Sequence, residues 1–163
     1  MGYIRIPKLV SGNAIFIRPN LTANGTMGGN EFAVDSSTPS ADYDAWKAVD
    51  GSMTTRWRVT GTGNYYTFYN PQPLRVSSIM LIWNSNTNSY QAGDITVYGS
   101  NDGTTWTQLA FMAKPASADN PAIRTIMVNS PEYYKYHKME MDPWGSAGAV
   151  DIKDIQINAL YRP

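Results

Sequence analysis

Ala45-Trp-Lys-Ala-Val-Asp-Gly-Ser-Met-Thr-Thr-Arg-Trp57 joins a short apolar run to an Asp50-Gly51 turn, a hydroxyl-rich loop and a tryptophan. Aspartate before glycine is turn chemistry, because the carboxylate can cap neighbouring amides while glycine accepts a positive φ. Further along lies Tyr98-Gly-Ser-Asn-Asp-Gly-Thr-Thr-Trp106. Its Asn101-Asp-Gly103 supplies positive-φ residues for a tight hairpin between two strands.

Working outward from these two segments, strand signals recur and helix signals do not. Glycine and proline are frequent, and no window holds a clean 3.6-residue period. Short β-branched and aromatic runs, bounded by Asn, Asp, Gly and Pro, predict strands at Ala14–Arg18, Tyr65–Tyr69, Ser78–Trp83, Ile95–Tyr98, Thr105–Phe111, Arg124–Val128, Tyr134–Met141 and Ile152–Leu160. Asn70-Pro-Gln-Pro73 is expected to break pairing and set off the next strand. Asn84-Ser-Asn-Thr-Asn-Ser89 and Lys114 to Pro121 read as loops. The expectation is an all-β fold, a β-sandwich of jelly-roll type.

The 163 residues suit one domain with a core that needs no staples, and there is no cysteine, hence no disulfide, thiolate site or cysteine nucleophile. Thirteen basic residues balance thirteen acidic ones, so no general field draws the chain to nucleic acid. Met1–Val10 does not read as a secretory signal, and no run approaches the length of a membrane-spanning helix. Asn20-Leu-Thr22 and Asn24-Gly-Thr26 fit the glycosylation pattern but read as ordinary loop residues.

Both opening segments, together with Tyr133-Tyr-Lys-Tyr-His-Lys-Met-Glu-Met141 and Val150-Asp-Ile-Lys-Asp-Ile-Gln-Ile157, resemble in order and spacing the discoidin, or coagulation-factor type C, domains. The resemblance covers Leu21 to Tyr161 and extends to the galactose-binding-like carbohydrate-binding modules of bacteria and phages. It implies a galactose-binding-domain-like sandwich over residues 21–163, a role in binding and no catalysis. Trp57 and Trp106 fall at core positions of the family. Residues 1–20 are extra: an N-terminal arm or added strand, apolar enough to contact another virion or cell-surface protein. Members that bind glycans often hold a structural calcium under the first motif. Carried over, its ligands are the carbonyls of Lys47 and Ser52, the Asp50 carboxylate, Thr55, and Asp154, which stands where the family has glutamate. Those hard oxygens suit calcium, while the plain reading of Asp50-Gly51 is a turn.

Catalytic chemistry has no support. The single histidine, His137, sits within a predicted strand and reads as structural; no second nitrogen or sulfur ligand joins it for zinc, and no nucleophile elbow or pair of cleft carboxylates is apparent. Aromatic residues are abundant instead, with five tryptophans and eleven tyrosines. Sugars are recognised by aromatic faces and a few oriented polar groups. Trp144 in a Gly- and Pro-bearing loop, Asn84 and Asn88 in the amide-rich tract, Tyr90, and Tyr65 are the candidate ligand set. The expected function is non-catalytic glycan binding on a phage particle, a surface protein or otherwise outside the cell. The alternative is a structural virion component that uses the sandwich for protein contacts. Lipid binding is disfavoured by the small, acidic Ser36–Asp44 loop.

Overall fold

A computed structural model of the chain describes residues 15–17, 19–84, 90–116, 122–128, 130–144 and 148–162. Among these residues nine strands run in chain order: β1 (Ile15–Ile17), β2 (Ala33–Ser36), β3 (Trp57–Thr60), β4 (Asn64–Trp83), β5 (Ala92–Ser100), β6 (Thr107–Met112), β7 (Ile123–Met127), β8 (Tyr134–Pro143) and β9 (Ala149–Tyr161). One 3₁₀ turn, Ala45–Ala48, precedes β3. All pairings are antiparallel. No helix of the described residues is long and apolar enough to cross a membrane.

Every predicted strand is present, with two differences. Tyr65–Tyr69 and Ser78–Trp83 are the two halves of one strand, β4. Its first half pairs with β2 and β8, and its second half with β7 and β9. Asn70-Pro-Gln-Pro73 lies at the change of partners, where the β8 register jumps between Tyr69 and Leu74. Prolines that cannot donate to a ladder are tolerated there because the strand is leaving one set of neighbours for another. The other difference is β2 and β3, too short and too polar to stand out in the sequence.

This hand-over makes the sandwich. One layer is β2, the first half of β4, β8, β5 and β6. The other is β7, the second half of β4 and β9, with β3 and β1 both along the far edge of β9. The layers meet in one buried cluster containing Tyr66, Phe68, Val97 and Met139 from the first, and Ile79, Leu81, Ile126, Ile155 and Ile157 from the second. Trp57 on β3 meets Tyr66 on β4 edge to face at 5.1 Å between ring centroids. Arg124 on β7 donates to the carbonyls of Ala92 and Gly93 on β5, at 2.6 and 3.1 Å.

Trp57 is fully buried. Trp106 is not a core residue: it is half-buried outside the cluster, with the Lys138 ammonium 4.6 Å from its ring. The loop between β5 and β6 is longer than a two-residue turn, and of its residues only Gly103 has a positive φ, 75°. Asp102 replaces the tight turn by side-chain bonding, accepting the N–H of Thr105 at 2.7 Å and of Thr104 at 2.8 Å. These bonds hold its carboxyl well below the usual range. His137 is fully buried, stacked on Phe68 at 4.9 Å, with neither ring nitrogen hydrogen-bonded. Burial lowers its pKa to about 3, so the ring is neutral.

Candidate functional site

Several connections meet at one end of the sandwich: residues 37–44, the 61–63 turn, Asn84, Tyr90 and Gln91, and Trp144 and Gly148. Backbone bonds tie them together. Arg58 N donates to Tyr43 O, Gly61 N to Gly148 O, Asn84 N to Asp151 O, and Trp144 N to Gln91 O, at 2.8–3.3 Å.

At the centre is Asp151, fully buried on β9. A buried carboxylate must be paired, and the β3–β9 register sets Arg58 directly opposite it. Arg58 donates through Nε and Nη2 to Asp151 Oδ2 at 3.1 and 2.5 Å. Arg56 Nε lies 3.4 Å from Oδ1, and Asn84 Nδ2 donates to Oδ2 at 3.1 Å. Burial opposes the Arg58 charge, but the bond and charge of Asp151 outweigh it and raise the pKa. The Arg58 guanidinium lies 4.8 Å from the Tyr43 ring and 5.2 Å from the Tyr90 ring. Arg56 also contacts the Tyr43 ring, at 4.8 Å, and donates to the Tyr43 hydroxyl at 3.1 Å. An exposed Tyr90, a fixed amide and an arginine anchored from below form a rigid aromatic and polar platform, with two guanidinium charges over one carboxylate.

Of the predicted ligand residues, Asn84 and Tyr90 belong to this platform. Tyr65 and Trp144 line a separate cleft of about 600 Å³ with Asp94, Lys114, Glu140 and Asp142. The link between the two places is the Trp144–Gln91 backbone bond, one residue from Tyr90. Asn88 lies outside the described residues. Tyr43, Arg56, Arg58 and Asp151 are site residues that sequence reasoning does not reach. The signal available is Asp151 in an apolar strand segment, which demands a cation, but nothing in the chain says which arginine supplies it.

The loop expected to hold calcium is compact. Asp50 Oδ1 accepts the Ser52 N–H at 2.8 Å and Oδ2 accepts the Thr55 hydroxyl at 2.5 Å. The turn reading is therefore realised. Tyr66 is fully buried, and its hydroxyl donates to Ala45 O at 3.0 Å. Burial first, then the charges of Asp154 and Asp50, push its pKa well up. Both carboxylates thus lie near one buried phenol, with Asp154 itself fully buried. No group of three His, Cys, Asp or Glu side chains occurs among the described residues, so two carboxylates would need hydroxyl and carbonyl oxygens to complete a shell. The Lys47 ammonium does not occupy the loop; it donates to Asp42 O and lies 5.5 Å from the Trp46 ring. Gln156 Nε2 donates to Asp154 Oδ2 at 2.8 Å, and the donors the loop offers are all oxygens, the type a hard cation takes.

An antiparallel sandwich of nine strands among the described residues, with polar and aromatic side chains gathered at one end, is the galactose-binding-like architecture. The F5/8 type C domain matches residues 33–152, and the chain belongs to that family. No curated protein sequence matches the chain. Among solved structures, the chain is similar to the family 32 carbohydrate-binding module of NanJ from C. perfringens in complex with galactose. That likeness has a TM-score of 0.66 and 17% identity, over 78% of this chain and 93% of that one. It is also similar to a pectin-binding carbohydrate-binding module, with a TM-score of 0.61 and 22% identity, over 77% and 88%. A third is chitosan-binding module 1 from a chitosanase/glucanase of Paenibacillus sp. IK-5, with a TM-score of 0.64 and 20% identity, over 79% and 95%. At these identities the likeness establishes the fold.

Proposed function

We propose that the chain is a non-catalytic carbohydrate-binding module whose site is the loop end of the sandwich. The observation that carries this reading is the Tyr43–Arg58–Tyr90 stack seated on buried Asp151. An exposed ring offers a face to sugar C–H groups, and Arg58 and Asn84 offer oriented donors to hydroxyls. The structurally similar modules named for galactose, pectin and chitosan support the class of ligand. Trp144 and Tyr65 add a second aromatic surface beside the platform. An open site of this kind binds weakly, since one aromatic contact contributes ~1 kcal/mol beyond area burial. Repetition on a virion or at an extracellular surface, where glycans are met, would make weak sites effective through avidity.

The test is a glycan array probed with the chain displayed multivalently, followed by Tyr90→Ala and Trp144→Ala. Both rings stand partly in solvent, so retention should fall at least fivefold with each variant while the melting temperature stays within a few degrees. No retention on any glycan would overturn the reading.

Calcium belongs to the same proposal as a structural ion, held by Asp50, Thr55, Asp154 and the carbonyls of Lys47 and Ser52. Its contribution would be to fix the 45–57 loop that leads into β3. Binding only the folded state raises stability by mass action, about 2.7 kcal/mol at a hundredfold excess over Kd. The melting temperature should therefore rise with calcium and fall with chelator, and Asp50→Ala should remove the difference. Equal melting in both conditions would leave the turn alone.

A further inference from the structure

The outward face of the layer formed by β2, β4, β8, β5 and β6 carries a second feature. A sheet with one face in solvent is expected to be polar on that face. Here the ladder brings Tyr65 opposite Glu140, Thr67 opposite Lys138 and Tyr69 opposite Tyr136, while Tyr98 lies opposite Lys138 from the other side. Trp106 reaches in from the β5–β6 loop. A cleft of about 340 Å³ is lined by Asp35, Tyr65, Trp106, Tyr136 and Lys138. Tyr65 also lines the 600 Å³ cleft that includes Trp144, so the two clefts share that residue.

The polar groups between these rings are already tied in place. Lys138 Nζ is 2.6 Å from Glu140 Oε1 and lies 4.6 and 5.1 Å from the rings of Trp106 and Tyr98. Burial first, then the nearby carboxylates of Glu140 and Asp35, raises the pKa of the Tyr98 and Tyr65 hydroxyls. Side chains ordered before binding lose less entropy when a ligand arrives. From Tyr136 to Trp144 the chain advances at about 3.4 Å per residue, roughly 27 Å in all, which is the length of several pyranose rings. Both clefts are open, so a chain need not end inside them. Four carboxylates, Asp35, Asp94, Glu140 and Asp142, face two ammonium groups, Lys114 and Lys138. That balance repels polyuronates and admits an uncharged chain.

We propose that this face is a second, extended glycan site, taking the interior of a neutral polysaccharide chain along β8 from Tyr136 and on to Trp144 just beyond it, with Tyr65 and Trp106 as stacking surfaces. It is distinct from the Arg58 platform, which is compact, cationic and suited to a single sugar unit. The inference rests on the carbohydrate reading above, and its test separates the two.

Cellohexaose, chitohexaose, β-1,4-galactohexaose and hexagalacturonate are titrated calorimetrically into the full chain, beside their monosaccharides. At least one neutral hexamer should bind about tenfold or more tightly than its monosaccharide, and hexagalacturonate should show no such gain. Trp106→Ala should bring that hexamer down to the monosaccharide level and leave monosaccharide binding unchanged. Tyr90→Ala should weaken the monosaccharide and spare the gain with length. Tyr65→Leu serves as the second groove variant if Trp106→Ala does not fold. Monosaccharide binding with no gain for any hexamer, or a gain that survives the groove variants, overturns the groove and leaves the platform. Absence of binding by every probe overturns both readings. A gain for hexagalacturonate that Trp106→Ala removes overturns the assignment of a neutral chain.

Discussion

Two buried ionisable residues decide how this protein responds to mutation and to acid. Among the described residues, Asp151 is the carboxylate placed under both Arg56 and Arg58. Removing one partner of a buried ion pair leaves uncompensated charge, at a cost of about 3–5 kcal/mol. Asp151→Ala should lose stability of that order by denaturant titration and should also loosen Tyr90, because Arg58 then has no anchor. Arg58→Ala should cost less, since the arginine is partly exposed and Arg56 still meets the carboxylate. His137 acts through protons. Its folded pKa, about 3, lies below the ordinary histidine value of 6.5. Above 6.5 the ring is neutral in both folded and unfolded chains, and its contribution to stability is fully present. As pH falls from 6.5 toward 3, the unfolded chain takes up a proton that the folded chain refuses, and stability drops by as much as ~1.4 kcal/mol per unit. His137→Phe, which keeps the stack on Phe68, should show a shallower decline in melting temperature over that window. An identical decline in both proteins would assign the acid sensitivity to carboxylates alone.

At the scale of elements, the β5–β6 hairpin shows why its sequence reads as a motif. A side chain at Gly99 would meet the Tyr134 ring, since a Cβ built there falls 2.5 Å from Cδ2. Ser100 Oγ donates to Asp102 Oδ1 and accepts the Gly103 N–H; Asn101 donates to Tyr133 O just before β8 and accepts the Lys135 N–H on it. Each residue has its own partner, so the segment is legible from its letters alone. Gly99→Ala should destabilise by about 1–3 kcal/mol, the usual range for overpacking, measurable as a lowered denaturant midpoint. The hairpin type is less legible, because Asp102 side-chain bonding and a positive φ at Asn101 or Asp102 are alternative solutions for the same letters. The continuity of β4 is hidden for a similar reason. Two prolines in sequence look like an end to pairing, and only the positions of β7, β8 and β9 reveal that the strand continues with new partners.

For the molecule as a whole, strand recurrence and the order of four motifs are enough to reach the fold, since each is a local property. The site is legible only in part. Trp144, Asn84 and Tyr90 stand out because aromatic and amide side chains in loops have few reasons to be there, while Tyr65 stands out only by following the Gly-rich turn before β4. Arg58 and Asp151 could not be paired from sequence, for they are ninety-three residues apart and become neighbours only through the β3–β9 register. The N-terminal segment makes a specific contact at its end. Ile15–Ile17 pairs with Ala159–Ile157, and Ile17 is buried. Truncation through Arg18 should therefore lower stability by about 1.5–3 kcal/mol, the value of one buried isoleucine.

The same pairing sets Ile15 beside Ala159, while Thr60 sits beside Ala149 at the far end of β9. The entry of β1 and the exit of β9 thus share one pole of the sandwich, and the ligand loops occupy the other. Along β9 at about 3.4 Å per residue, the poles are roughly 40 Å apart. Anything anchored through either of those ends holds the protein like a lamp on a bracket, with its binding surface turned outward. A pull between such an anchor and a captured glycan runs parallel to the strands. It must slide whole ladders past one another rather than open them one hydrogen bond at a time, so the fold should resist flow as a shear-loaded joint.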